Sequence, residues 1–125
     1  MSTPASIRVL LVEPHDDTRE LYVRGLTLEG LDVVEAHDWA SALVAFSTHE
    51  PAIVVSEIRL PDLGDVATLK IFPAAGVPVI ALTTAPEPQH HMIRDAGVTS
   101  VLMKPCSWED VAEAIRVALE IGPRR

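Results

Sequence analysis

The chain has 125 residues, 48% apolar and 22% charged, which fits one domain with a single buried core and excludes two full domains or a disordered composition. Ten Lys and Arg against eighteen Asp and Glu leave a net charge of −8, so direct binding to nucleic acid phosphates or to an anionic membrane is not expected. The lone cysteine, Cys106, excludes an intrachain disulfide and a cysteine-built zinc site. Met1-Ser2-Thr3-Pro4-Ala5-Ser6 lacks a basic start followed by an apolar run, and no apolar stretch approaches the ~20 residues of a membrane span, so a cytoplasmic protein is expected.

Five β-type runs alternate with segments of helical period: Ile7 to Val12, Asp32 to Ala36, Ala52 to Ser56, Val77 to Leu82 and Thr99 to Met103. The first, third and fourth are nearly unbroken Val, Ile and Leu, the pattern of strands covered on both faces. In the first helix Leu21, Gly25 and Leu28 share a stripe that Gly30 can stop. Asp38 is the expected N-cap of a second, with Trp39, Ala42, Leu43 and Phe46 on one face and Pro51 after it. Asp65 is expected to cap a short third helix ending before Pro73, and Pro86 and Pro88 confine a fourth to a short piece up to Ala96 and Gly97. The fifth opens on a capping box, Ser107-Trp108-Glu109-Asp110, and carries a stripe of Val111, Ala114, Ile115, Ala118 and Leu119. With right-handed crossovers this alternation gives one doubly wound parallel domain (core about 6–121), with its chemistry at the carboxyl ends of the central strands.

Those ends read Glu13-Pro14-His15-Asp16-Asp17 after the first strand and Glu57-Ile58-Arg59-Leu60-Pro61-Asp62 after the third. Thr83-Thr84 follows the fourth and Lys104-Pro105 the fifth. An acid, an acid ahead of Leu-Pro, a hydroxyl and Lys-Pro at four separate strand ends resemble the receiver domain of two-component response regulators, over nearly the whole chain. The resemblance implies a flavodoxin-like (βα)5 fold, with a five-stranded parallel sheet in the order 2-1-3-4-5 and helices on both faces. It implies that a strand-three carboxylate accepts a phosphoryl group, that two acids after strand one hold Mg²⁺, and that the hydroxyl and lysine bind phosphoryl oxygens. By matching position, Glu13 and Pro14 stand where the acid pair belongs, Glu57 at the phosphoacceptor, and Thr83 and Lys104 at the phosphoryl ligands. Val101 stands where the family commonly has a switch aromatic.

Three of these positions depart from the family pattern. Pro14 offers neither carboxylate nor backbone N–H, so the metal site is incomplete unless Asp16 or Asp17 reaches back. Glu57 is one methylene longer than Asp, and phosphoryl transfer rests on positioning: a displacement of about 1 Å can cost on the order of 100-fold. Val101 is stiff and too small to serve as the moving part of an aromatic switch. What survives is a carboxylate facing a lysine, readable either as a permanent phosphoryl mimic or as a drifted acid in an unused pocket. Lys104 is expected in an ion pair rather than in catalysis, and Thr83 in the pocket, although Thr is also an ordinary strand residue.

The remaining residues take plainer readings. His15 beside Glu13 offers an imidazole to a transition metal but reads first as a solvated loop histidine, and His90 and His91 read as exposed helix residues. Asp16 and Asp17 suit a helix start, Cys106 an inert small side chain, and Trp39 and Trp108 packing at helix starts. The glycines are too widely spaced for G-x-G-x-x-G or a P-loop.

The leading expectation is thus a non-enzymatic, phosphorylation-independent interaction module with no cofactor. The resemblance implies that it would bind a signalling protein or histidine kinase, or form a homodimer, through the fourth helix, fifth strand and fifth helix (Met92, Ile93, Val101 and the outer side of Val111 to Leu119). The alternative is a working phosphoacceptor that uses Mg²⁺ and takes phosphate from a histidine kinase; an unrelated α/β enzyme comes third. Gly122-Pro123-Arg124-Arg125 suits the start of a linker, so a stand-alone regulator and a piece of a longer chain with an output domain both stay open.

Overall fold

The computed structural model describes residues 6–59 and 63–122; the Leu60-Pro61-Asp62 motif, the reading of the first five residues and Pro123-Arg124-Arg125 lie outside them. Five strands, β1 (Arg8–Val12), β2 (Asp32–Ala36), β3 (Ile53–Glu57), β4 (Val79–Thr83) and β5 (Ser100–Met103), form one parallel sheet in the order β2-β1-β3-β4-β5. Around it run α1 (Asp16–Leu28), α2 (Trp39–His49), α3 (Leu63–Leu69), α4 (Ile71–Ala74), α5 (His90–Asp95) after a single 3-10 turn, and α6 (Trp108–Leu119).

Alternation along the central strands feeds two cores. Leu10, Val12, Val54, Val79 and Ala81 pack with Phe72 and Ile93 on one face, and Val9, Leu11, Ile53, Val55, Ile80 and Leu82 with Leu26, Val111 and Ile115 on the other. Each residue of β1 after Arg8 is buried, as a strand sandwiched between helical layers requires. Parallel pairing brings the strand C-termini to one rim. Main-chain bonds continue past the strands there: Glu13 N–H donates to the Ala36 carbonyl (3.0 Å), Ile58 N–H to Leu82 (2.7 Å) and Lys104 N–H to Thr83 (2.7 Å).

Both expected capping devices are present. Asp38 accepts from Ser41 N–H at 2.7 Å, and Ser107 from Asp110 N–H at 3.1 Å with Asp110 returning to Ser107 N–H. Gly30, at φ 84°, follows α1 in the left-handed conformation, with Leu31 N–H bonded to the Leu26 carbonyl.

Several expectations need correction. The α1 stripe is turned by one residue: Tyr22, Gly25 and Leu26 are buried, whereas Leu21 and Leu28 are exposed. The cause is α6. A Cβ on Gly25 would lie 2.2 Å from Trp108 Cγ, so only glycine lets the two helices approach with this face inward. Leu43 likewise lies outside the buried stripe of α2, where Ala45 takes its place beside Ala42. The third helical segment is two pieces, and Pro73 lies inside α4 rather than beyond a helix end; first-turn positions need no donor.

Asp65 lies within the first turn of α3 and not at the residue before it. Its buried carboxylate accepts from Trp39 Nε1 at 2.8 Å and from Arg59 N–H at 3.1 Å, tying α2, the β3 exit and α3 together. β3 and β4 each end one residue later than expected, which places Glu57 and Thr83 within strands.

Candidate functional site

Glu13 follows β1, Glu57 ends β3 and Lys104 follows β5, so the sheet order alone sets the lysine opposite both acids. Lys104 Nζ donates to Glu13 Oε1 at 2.7 Å and to Glu57 Oε1 at 2.8 Å. The three side chains are 13%, 0% and 8% exposed, and together they carry a formal charge of −1. Burial alone would lower the Lys104 pKa, but the two carboxylate hydrogen bonds outweigh it and hold the ammonium above its ordinary value. The other oxygens of the acids point away from the lysine. Glu13 Oε2 lies 3.3 Å from His15 Nδ1, and Glu57 Oε2, buried and without a hydrogen-bond partner among the described residues, lies 3.9 Å from that nitrogen.

His15 occupies the N-cap position of α1, which neither Asp16 nor Asp17 takes, and its side chain makes no cap bond. Its ring is 65% exposed, as a loop histidine's would be, yet it leans over the acid pair. Arg19 orders this entry loop by donating to the Glu13 carbonyl at 2.9 Å, to Asp16 at 2.6 Å and to Glu35 at 3.3 Å. Asp16 is thereby held outward, 87% exposed, and Asp17 is exposed on the same turn, so neither joins Glu13. A cleft of about 90 Å³ beside Glu57 is walled by Pro14, Trp39, Arg59 and Asp65.

Thr83, at the end of β4, is fully buried. Its hydroxyl oxygen accepts from Ala85 N–H at 3.1 Å, a partner in its own loop. The same peptide is held at its other end: the Ala85 carbonyl accepts from His90 Nε2 at 2.7 Å, which makes that nitrogen the protonated one. His90 is therefore buried, against the expectation of an exposed helix residue, because a histidine one turn into this segment can reach the loop carbonyl. His91 is exposed as expected.

Val101 is half-buried against the α2–α5 core. On the expected docking face, Met92 is half-buried and Val117 and Met103 are exposed, but Ile93 is completely buried and available to no partner. Behind the site, Tyr22 donates to the Cys106 carbonyl at 2.9 Å, and burial followed by its contacts with Cys106 pushes the phenol pKa up. Trp108 packs as expected, whereas Trp39 adds its hydrogen bond to Asp65.

Residues 9–116 match the response regulator receiver domain family, and the chain belongs to that family. It is 27% identical over 117 residues to the response regulator MprA of Mycobacterium bovis, covering 91% of this chain and 51% of that protein. It is 33% identical over 116 residues to the transcriptional regulatory protein TrcR of Mycobacterium tuberculosis, covering 88% and 44%. The chain thus spans about half the length of these curated relatives. Among solved structures, a CheY-like response regulator receiver domain from Methanospirillum hungatei superposes with a TM-score of 0.82 at 23% identity, covering 93% of this chain and 95% of that one. The chemotaxis response regulator CheY4 of Vibrio cholerae gives 0.80 at 21% identity, covering 90% and 98%. These two likenesses concern the fold.

The Mg²⁺ that the family implies is a poor fit to the residues present. Mg²⁺ seeks near-octahedral oxygen ligation. Here Pro14 adds no side-chain ligand, Asp16 faces Arg19, the lysine holds one oxygen of each acid, and the third ligating side chain clustered with them among the described residues is the imidazole of His15. Among the described residues no helix is long and apolar enough to cross a membrane.

Proposed function

We propose that this receiver works without phosphorylation, as a non-enzymatic protein-interaction module of two-component signalling in the cytoplasm, its phosphoacceptor site degenerate. The observation that carries the reading is the double bridge from Lys104 to Glu13 and Glu57. The acceptor carboxylate already holds the cation that a transferred phosphoryl would need, and the second acid position is a proline. A carboxylate–lysine pair of 2.8 Å spanning β3 and β5 supports a constitutive state in place of a switched one. Val101 and the loop pinned by Thr83 and His90 support the same view of the relay. The partner is a signalling protein, a histidine kinase or a second copy, docking on the face of α5, β5 and α6 where Met103 and Val117 are exposed.

Incubation with Mg²⁺ and acetyl phosphate, followed by intact-mass measurement beside a receiver with a complete acid pair, is expected to leave this chain unmodified while the control gains a phosphoryl group. A stoichiometric adduct on Glu57 would establish the alternative of an active phosphoacceptor.

A further inference from the structure

The oxygens that Lys104 leaves free converge with an imidazole. One ligand atom from each of Glu13, His15 and Glu57 lies within 4.8 Å of the other two, and His15 Nδ1 is 3.3 Å from Glu13 Oε2 and 3.9 Å from Glu57 Oε2. Adjacent ligands of a tetrahedral ion with bonds of ~2.0–2.1 Å are about 3.3 Å apart, so one edge of such a polyhedron is already in place and a second needs only a small closing movement. Independently of this clustering, Glu57 Oε2 belongs to a side chain 92% buried by its 8% exposure and has no hydrogen-bond partner among the described residues. A buried carboxylate oxygen in that condition calls for a ligand. Charge agrees: two carboxylates and one ammonium leave −1 for a divalent ion to offset.

We infer that Glu13, His15 and Glu57 form a site for a borderline divalent cation of the Zn²⁺ class, with water in the fourth position, that prefers such an ion to Mg²⁺. The imidazole decides the preference: nitrogen donors suit Zn²⁺, whereas Mg²⁺ takes oxygen ligands. Lys104 need not leave, because it uses the opposite oxygens. Occupancy would tie the start of α1 to the end of β3. The inference stands apart from whether Glu57 accepts phosphate, since that is read by mass.

The test is calorimetric titration of the whole chain with ZnCl₂ and with MgCl₂. Expected are one Zn²⁺ per chain, no displacement by a hundredfold excess of Mg²⁺, a loss of at least tenfold in Zn²⁺ affinity in His15→Ala, and no change in His49→Ala, a control histidine on the exposed end of α2. Because the His15 ring is mostly exposed and caps nothing, His15→Ala should melt like the parent without metal. Substitution with Co²⁺ should give a visible d–d band without a thiolate charge-transfer band, placing the ion away from Cys106. Unchanged Zn²⁺ affinity in His15→Ala, equal loss in His49→Ala, or a thiolate band would each overturn the assignment.

Discussion

Two strand ends lie side by side on the rim of this sheet and are finished in opposite ways. At the end of β4 one peptide is held from both sides: Thr83 takes the Ala85 N–H, His90 gives to the Ala85 carbonyl, and both side chains are buried. At the end of β3 everything is charged and incompletely paired: Glu57 shares Lys104 with Glu13 and keeps one buried oxygen without a hydrogen bond. A pinned peptide holds a loop in one place, whereas an orphaned carboxylate oxygen is a standing demand for a ligand. The contrast sets a loop peptide held at both ends beside a carboxylate that is only partly paired.

Three substitutions break or sharpen this contrast. The largest effect is expected from His90→Ala, which removes a buried side chain and leaves the Ala85 carbonyl without its donor. A loss of about 3 kcal/mol in urea unfolding is expected, set by the unsatisfied acceptor together with the cavity. A loss below about 1 kcal/mol would show that the loop is not held this way.

Next is Lys104→Met, which keeps the stem and removes the cation between two buried acids. Breaking a buried pair costs several kcal/mol, but this one opens toward solvent at the rim, so about 2 kcal/mol at neutral pH is expected. The pH dependence fixes the mechanism. The folded-state pKa of Lys104 is raised, so its contribution is complete below the unfolded value of 10.5 and is lost as the pH rises through the higher folded value. The stability gap between the parent and Lys104→Met should therefore be flat around neutrality and close in strong alkali. A gap that persists there would point to packing by the stem instead.

The smallest effect, about 1 kcal/mol, belongs to Thr83→Val, which removes only the acceptor of the Ala85 N–H. In a double-mutant cycle with His90→Ala the two losses should fall short of additivity, because both residues hold one peptide. Strict additivity would separate them.

Much of this protein was open to reading before any coordinates. Alternation of apolar strands with capped helical segments led to the sheet, and four strand-end motifs led to the family and to the cluster of Glu13, Glu57 and Lys104. Local chemistry was legible wherever it closes within a few residues, as at the Asp38 cap, in the Ser107 box or at Gly30. The misreadings share one origin. Leu21 and Leu28 fit a helical period as well as the true stripe does, and only the approach of Gly25 to Trp108 selects the phase of α1. Asp65 looks like a cap until Trp39, twenty-six positions earlier, claims its carboxylate.

His90 and Ile93 carry no local mark of burial, since a helix this short has too few turns for periodicity to speak. The sequence by itself determined the element order, the caps and the net charge of −8, because these follow from period, local hydrogen bonding and composition, and the family resemblance pointed to the charged residues that meet at the strand ends. Only the tertiary structure decided which oxygens Lys104 takes, which one is left for His15 to face, and that the Ala85 peptide is held at both ends. Those outcomes depend on distances between segments that the chain sets only when the sheet closes.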